Sequence, residues 1–114
     1  MRSAALVNVG APRYDQSALE TLVRETGMSA RVTSVGRVSD DDLRALYAGA
    51  TLTAYPSFYE DFGFPIVESM ALGTPVVTSN VSSMPEVAGD AALLVDPRDV
   101  DALSAAIGRL LADA

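Results

Sequence analysis

Short apolar runs alternate along this chain with stretches in which apolar residues recur every three or four positions, the pattern of strands separated by amphipathic helices. Leu6 to Val9 is a first apolar run, ended by Gly10 and the turn residues Ala11-Pro12-Arg13. Ser17 and Glu20 then form a capping-box pattern. Leu19, Leu22, Val23 and Thr26 fall on one helical face before Gly27 stops the helix. Arg31 to Gly36 predicts a second strand. Ser39 and the acidic run Asp40-Asp41-Asp42 open a second helix whose buried face is Leu43, Leu46, Tyr47 and Ala50. Thr51 to Tyr55 predicts a third strand, closed by Pro56-Ser57, and a helix follows from Pro65 to Leu72, with Gly73 after its end. Pro75 to Thr78 is a fourth strand, Pro85 to Ala88 one helical turn, and Ala92 to Val95 a fifth strand. Val100 to Leu111 is a closing helix with Leu103, Ile107, Leu110 and Leu111 inward. This alternation predicts an α/β fold, a mostly parallel sheet of about five strands with helices on both faces.

Composition narrows what such a fold can do. At 114 residues the chain has room for one core, and its apolar fraction of 49 % is that of an ordinary globular protein. Cysteine and histidine are both absent, which removes disulfides, thiol nucleophiles, imidazole bases and zinc sites of the usual kind. All eight basic residues are arginines, so there is no Schiff-base lysine and no phosphate-loop lysine. A net charge of −7 with singly scattered arginines argues against nucleic acid as a partner. No apolar run is long enough to span a membrane. The N-terminal run, broken by Asn8, reads as a strand and not a signal peptide, so a cytoplasmic location is expected. The run Asp40 to Asp42 reads as a helix cap and not a metal site, and the sequon Asn80-Val81-Ser82 as coincidental.

One stretch speaks about chemistry. Glu60 and Glu68 are separated by seven residues across a loop that turns into a helix at Gly63 and Pro65. The expected backbone amides of Gly63, Phe64 and Ile66 have no intrahelical partner there, and Glu68 falls near the end of the first turn, so acids and amides are expected to face one small volume. In open parallel α/β sheets, ligands sit beyond the carboxyl ends of the strands, here Gly36 to Ser39, Pro56 to Phe64 and Ser79 to Met84. Amides at a helix start suit a phosphate or sugar hydroxyl, and a carboxylate suits a vicinal diol, which together fit a sugar nucleotide. Paired carboxylates also allow a glycoside hydrolase, ranked lower because Glu68 at a helix start is better placed to hold hydroxyls. A phosphoacceptor receiver domain would need a lysine, and no GxGxxG fingerprint follows a strand.

The run from Tyr55 to Val77, with Glu60-x7-Glu68 flanked by Pro56-Ser57 and Gly73-Thr74-Pro75, closely resembles the nucleotide-sugar half of the retaining group 1 (family 4-like) glycosyltransferases of the GT-B fold. The likeness continues through Thr78 to Ala92 and Val95-Asp96-Pro97, and back through Gly36 to Asp40 and Leu46-Tyr47. The resemblance implies a Rossmann-like three-layer αβα domain and, for the intact enzyme, transfer of a hexosyl group from a nucleoside-diphosphate sugar with retained configuration, usually without a bound metal or other cofactor. Glu60 looks like the catalytic-centre glutamate that contacts the donor sugar. Phe62, Gly63, Phe64 and Pro65 look like the donor loop, continued into Ile66 by its expected free amide. Glu68 looks like the glutamate that holds the ribose hydroxyls, and Gly36, Arg37 and Val38 match the turn beside the nucleobase. Asp61 stands where glycine is common. The bland alternatives are that Gly36 only ends a strand, Arg37 is a solvated charge, and Phe62 or Phe64 only fills core.

The departures from the family shape the expectation as much. Family members carry an N-terminal acceptor-binding domain. Their nucleotide domain begins with a strand, a glycine-rich turn and a basic pair for the diphosphate, none of which this sequence contains. The chain, residues 1–114, therefore reads as a partial C-terminal donor-binding domain truncated at its N-terminus, lacking the central strand of an order similar to 3-2-1-4-5-6 and inactive alone. Without that strand, Leu6 to Val9 and Thr51 to Tyr55 would be left with unmatched backbone groups, so they are expected to pair directly with each other, to exchange elements with a second copy, or to be satisfied in a homo-oligomer. A noncatalytic interaction or assembly module derived from the same domain is the alternative.

Overall fold

A computed structural model describes residues 4–10 and 16–113. The chain divides into two compact units, Met1–Asp40 and Asp41–Ala114. The first holds β1 (Leu6–Val9), α1 (Gln16–Glu25) and β2 (Val32–Gly36). β1 and β2 pair in parallel, Leu6 opposite Val32 through Asn8 opposite Ser34. Val9 then meets Gly36, so Val35 is the extra residue of a bulge. α1 ends in a Schellman motif: Gly27, at φ 73°, donates its N–H to Arg24, and Met28 donates to Val23. Its beginning differs from the capping-box expectation. Ser17 is already the second residue of the helix, so it cannot cap it, and the residue before Gln16 lies outside the described residues. A two-stranded sheet with a single helix encloses little volume. No described residue of this unit is fully buried, and Leu6, Val7 and Leu22 are about half exposed, at 56 %, 44 % and 58 %.

The second unit continues with α2 (Asp40–Gly49), β3 (Thr53–Tyr55), α3 (Phe64–Ala71), β4 (Val76–Ser79), α4 (Met84–Ala88), β5 (Ala92–Val95) and α5 (Val100–Ala112). The three strands lie in the order β3-β4-β5, all parallel, with Thr53 opposite Val76 and Val76 opposite Ala92. All four residues of β4 are buried, as befits a central strand covered on both faces. Strand alternation gives Val76 to one face, where it packs with Ile66, Met84 and Ala88 as the core, bordered by Tyr55, Met70, Val81, Val87 and Ala92. α3 and α4 rest on β4, and α5 on β5 and β4. α5 starts at Asp99, whose carboxylate accepts the Ala102 amide at 3.0 Å.

Within each sheet the strands are parallel, and strands alternate with helices along the chain as expected; they hydrogen-bond as two sheets of two and three strands. Among the described residues, β1 pairs only with β2, and β3 only with β4. β1 and β3 therefore each keep one unpaired side, and the direct pairing of these two strands that the sequence allows for is not formed. Among the described residues no helix is long and apolar enough to cross a membrane.

Candidate functional site

The carboxyl end of β3 leads through Pro56 into a loop that reaches α3 at Gly63. Left-handed at φ 86° and buried, Gly63 is the N-cap of α3, and a Cβ built on it would stand 3.1 Å from Cδ1 of Ile66. Glycine is therefore favoured by its conformation, and any larger residue would also press on the Ile66 side chain, which would have to give by a few tenths of an ångström. Pro65 lies in the first turn, where its missing N–H costs nothing. The helix start is tighter than expected: Ile66 is buried, and its amide bonds to the Gly63 carbonyl at 3.1 Å. Ile66 thus does not offer a free amide. Among the described residues the Gly63 and Phe64 amides remain without a partner, at the positive end of the helix dipole.

Glu60 is held chiefly by its main chain. The Ser82 hydroxyl accepts the Glu60 N–H at 3.2 Å and donates to the Glu60 carbonyl at 2.8 Å, and the Ser83 hydroxyl donates to that carbonyl at 2.7 Å. The Ser57 hydroxyl shares its single proton between the Glu60 carboxylate at 3.2 Å and the Tyr59 carbonyl at 3.1 Å. β4 supplies two more hydroxyls to the same segment, from Thr78 to the Tyr55 carbonyl at 2.8 Å and from Ser79 to the Ser57 carbonyl. Four hydroxyls from residues 78–83 therefore fix the backbone of residues 55–60. Sequence reading placed Ser79 to Met84 at the carboxyl edge of the sheet but did not single out these serines, because nothing local marks a contact made across 22 or 23 residues.

Glu68 is the fifth residue of α3, one position beyond the first turn, and it is exposed. Its carboxylate accepts a hydrogen bond from the Tyr47 phenol at 3.4 Å. Tyr47, on α2, accepts the Thr74 hydroxyl at its own carbonyl at 2.6 Å. Partial burial, the Glu68 charge and this bond, in that order, push the Tyr47 phenol from 10.0 up to about 12. The aromatic residues of the loop do not fill core. Phe62 and Phe64 are 44 % and 66 % exposed and lean on each other with centroids 4.9 Å apart, while Phe58 lies under the Arg98 guanidinium at 5.5 Å.

Gly36, Arg37 and Val38 lie in the first unit, at the carboxyl end of β2. Gly36, at φ 67°, accepts the Gly10 amide at 2.9 Å and so ties the ends of the two strands. Arg37 is exposed and Val38 half-buried.

Residues 1–113 match the family described as glycosyl transferases group 1. The chain belongs to the group 1 glycosyl transferases. Its similarity to curated members is high: 48 % identity over 108 residues with O-antigen chain mannosyltransferase B of Escherichia coli, covering 95 % of this chain and 28 % of that protein. MMP alpha-(1->4)-mannosyltransferase of Mycolicibacterium hassiacum is 47 % identical over 95 residues, 81 % of this chain and 23 % of its own length. Among solved structures, sucrose-phosphate synthase from Thermosynechococcus elongatus superposes with a TM-score of 0.84 at 39 % identity, covering 95 % of this chain and 29 % of that one. Anabaena HepE in complex with UDP-glucose does so with a TM-score of 0.84 at 28 % identity, over 96 % of this chain and 31 % of that one. The chain thus spans about a quarter of the length of these curated glycosyl transferases. Their shared fold is Rossmann-like, with the parallel strands and flanking helices described above.

Proposed function

We propose that this chain is the nucleotide-sugar donor-binding portion of a retaining glycosyltransferase, one that moves a hexosyl group from a nucleoside-diphosphate sugar to an acceptor. The observation that carries this reading is the Glu60-to-Glu68 segment, in which one carboxylate lies on a pinned loop, the other on the following helix, and two unpartnered amides at Gly63 and Phe64 lie between them. Glu60 acts at the donor sugar, beside the reacting centre. The Gly63 and Phe64 amides take phosphate or sugar oxygens, with Phe62 and Pro65 shaping the loop and Ile66 anchoring it from the core. Glu68 holds the ribose diol, and the family resemblance assigns the base to Gly36, Arg37 and Val38 of the first unit. In this reading the chemistry comes from protein groups and substrate, without a bound metal. The acceptor is held by a separate N-terminal domain, and the unpaired sides of β1 and β3 are met by strand exchange or by a second copy of the chain.

Two carboxylates facing an anionic diphosphate, in a chain of net charge −7, repel it unless basic groups offset them. The isolated chain should therefore bind a nucleoside diphosphate with Kd of about 1 mM or weaker and turn over no sugar. Calorimetric titration with UDP, GDP and ADP checks this, and micromolar affinity would overturn it. Replacement of Glu60 by Gln should lower the preference for a nucleoside-diphosphate sugar over the bare diphosphate, and replacement of Glu68 by Gln should weaken both, because the charge-assisted bonds lost to the ribose diol outweigh the repulsion relieved at the more distant diphosphate. An assembly module would show neither effect.

A further inference from the structure

We propose that Ser82 and Ser83 are positioning residues for Glu60, fixing its peptide so that its carboxylate meets the donor sugar. The proposal rests on the donor-binding reading above and adds the device that aims its central residue. Ser82 clasps both sides of Glu60, taking its N–H and giving a proton to its carbonyl, and Ser83 gives that carbonyl a second proton. A carbonyl oxygen has two lone pairs, and here both are used.

Two further observations separate this arrangement from ordinary loop packing. Ser83 occupies the N-cap position of α4, where a serine hydroxyl ordinarily bonds the helix's own free amides. It makes no such cap and turns to Glu60 instead. Ser82 is the non-glycine residue with positive φ among the described residues, at 60°, a conformation unfavourable for a side chain with a Cβ. That backbone carries the Ser82 hydroxyl to a point within reach of both the amide and the carbonyl of Glu60. The turn between β4 and α4 thus forgoes a cap and accepts strain at the two residues that grip Glu60.

The test uses the 114-residue chain and a panel of bare UDP, GDP and ADP with their glucose conjugates, followed by amide shifts in NMR titrations. The readout is the ratio of affinities for conjugate and bare diphosphate of the best-bound base. Ser82→Gly removes the hydroxyl while accommodating positive φ, and Ser83→Ala removes the second hydroxyl. Each should lower the ratio about three- to tenfold and leave bare diphosphate affinity unchanged, and Ser83→Thr should restore the ratio. A purely structural role would weaken both ligands together and leave the ratio where it was, which overturns the proposal. If Glu60→Gln lowers the ratio and the serine variants do not, the positioning role alone falls. If no conjugate is preferred by the unsubstituted chain, or Glu60→Gln changes nothing, the donor reading falls and takes this proposal with it.

Discussion

At the scale of single residues, the site depends on positions that tolerate little change. Gly63 combines a left-handed backbone with a Cβ direction crowded by Ile66, so Gly63→Ala should destabilise the second unit by about 1–3 kcal/mol, measured by denaturant unfolding. Tyr47 responds to pH instead. Its phenol titrates near 10 in an unfolded chain and at about 12 in the folded one, so the folded state holds the proton more tightly. The stability this contributes is full below pH 10 and is lost as pH rises through 12. Site-resolved NMR of the tyrosine ring carbons should place the Tyr47 midpoint near 12. Glu68→Gln should lower it while leaving it above 10, because burial, the larger cause, remains.

At the scale of elements, α5 supplies a clean test of local stability. Asp99 caps its first turn through the Ala102 amide, and Asp99→Ala should cost about 0.5–2 kcal/mol in thermal or chemical unfolding. The faces of α2 and α5 were legible in the sequence because a 3.6-residue period leaves a regular trace: Leu43, Leu46, Tyr47 and Ala50 are all partly buried, as are Leu103, Ile107, Leu110 and Leu111, whereas Leu22 and Thr26 on the face of the first helix are exposed. Element ends were less legible. β2 starts at Val32 and not Arg31, and β3 at Thr53 and not Thr51, because ladder register with the neighbouring strand, not local propensity, decides where pairing begins. The amides at the start of α3 were read correctly at Gly63 and Phe64 and wrongly at Ile66, since the tight first turn that uses its N–H follows from the φ of Gly63. The serine contacts to Glu60 left no sequence trace at all. They are tertiary, and a serine pair before a helix resembles any cap.

At the scale of the whole molecule, burial is concentrated in one place. The fully buried residues among those described all belong to the second unit, with β4 at its centre, while the first unit has none. Hydrogen exchange should therefore be slowest at Val76–Ser79 and about a hundredfold faster or more across Leu6–Val9 and Val32–Gly36, as read by deuterium uptake at neutral pH. The hydroxyls of Thr78, Ser79, Ser82 and Ser83 have a different kind of consequence. Each of them grips a carbonyl or amide, groups that every residue but proline presents alike, and none grips the side chain of residues 55–60. The side chains of Phe58 and Tyr59 can be exchanged without loosening that grip. A lineage built on this scaffold can revise the exposed surface of the loop, and with it the molecules that surface meets, while Glu60 keeps its place.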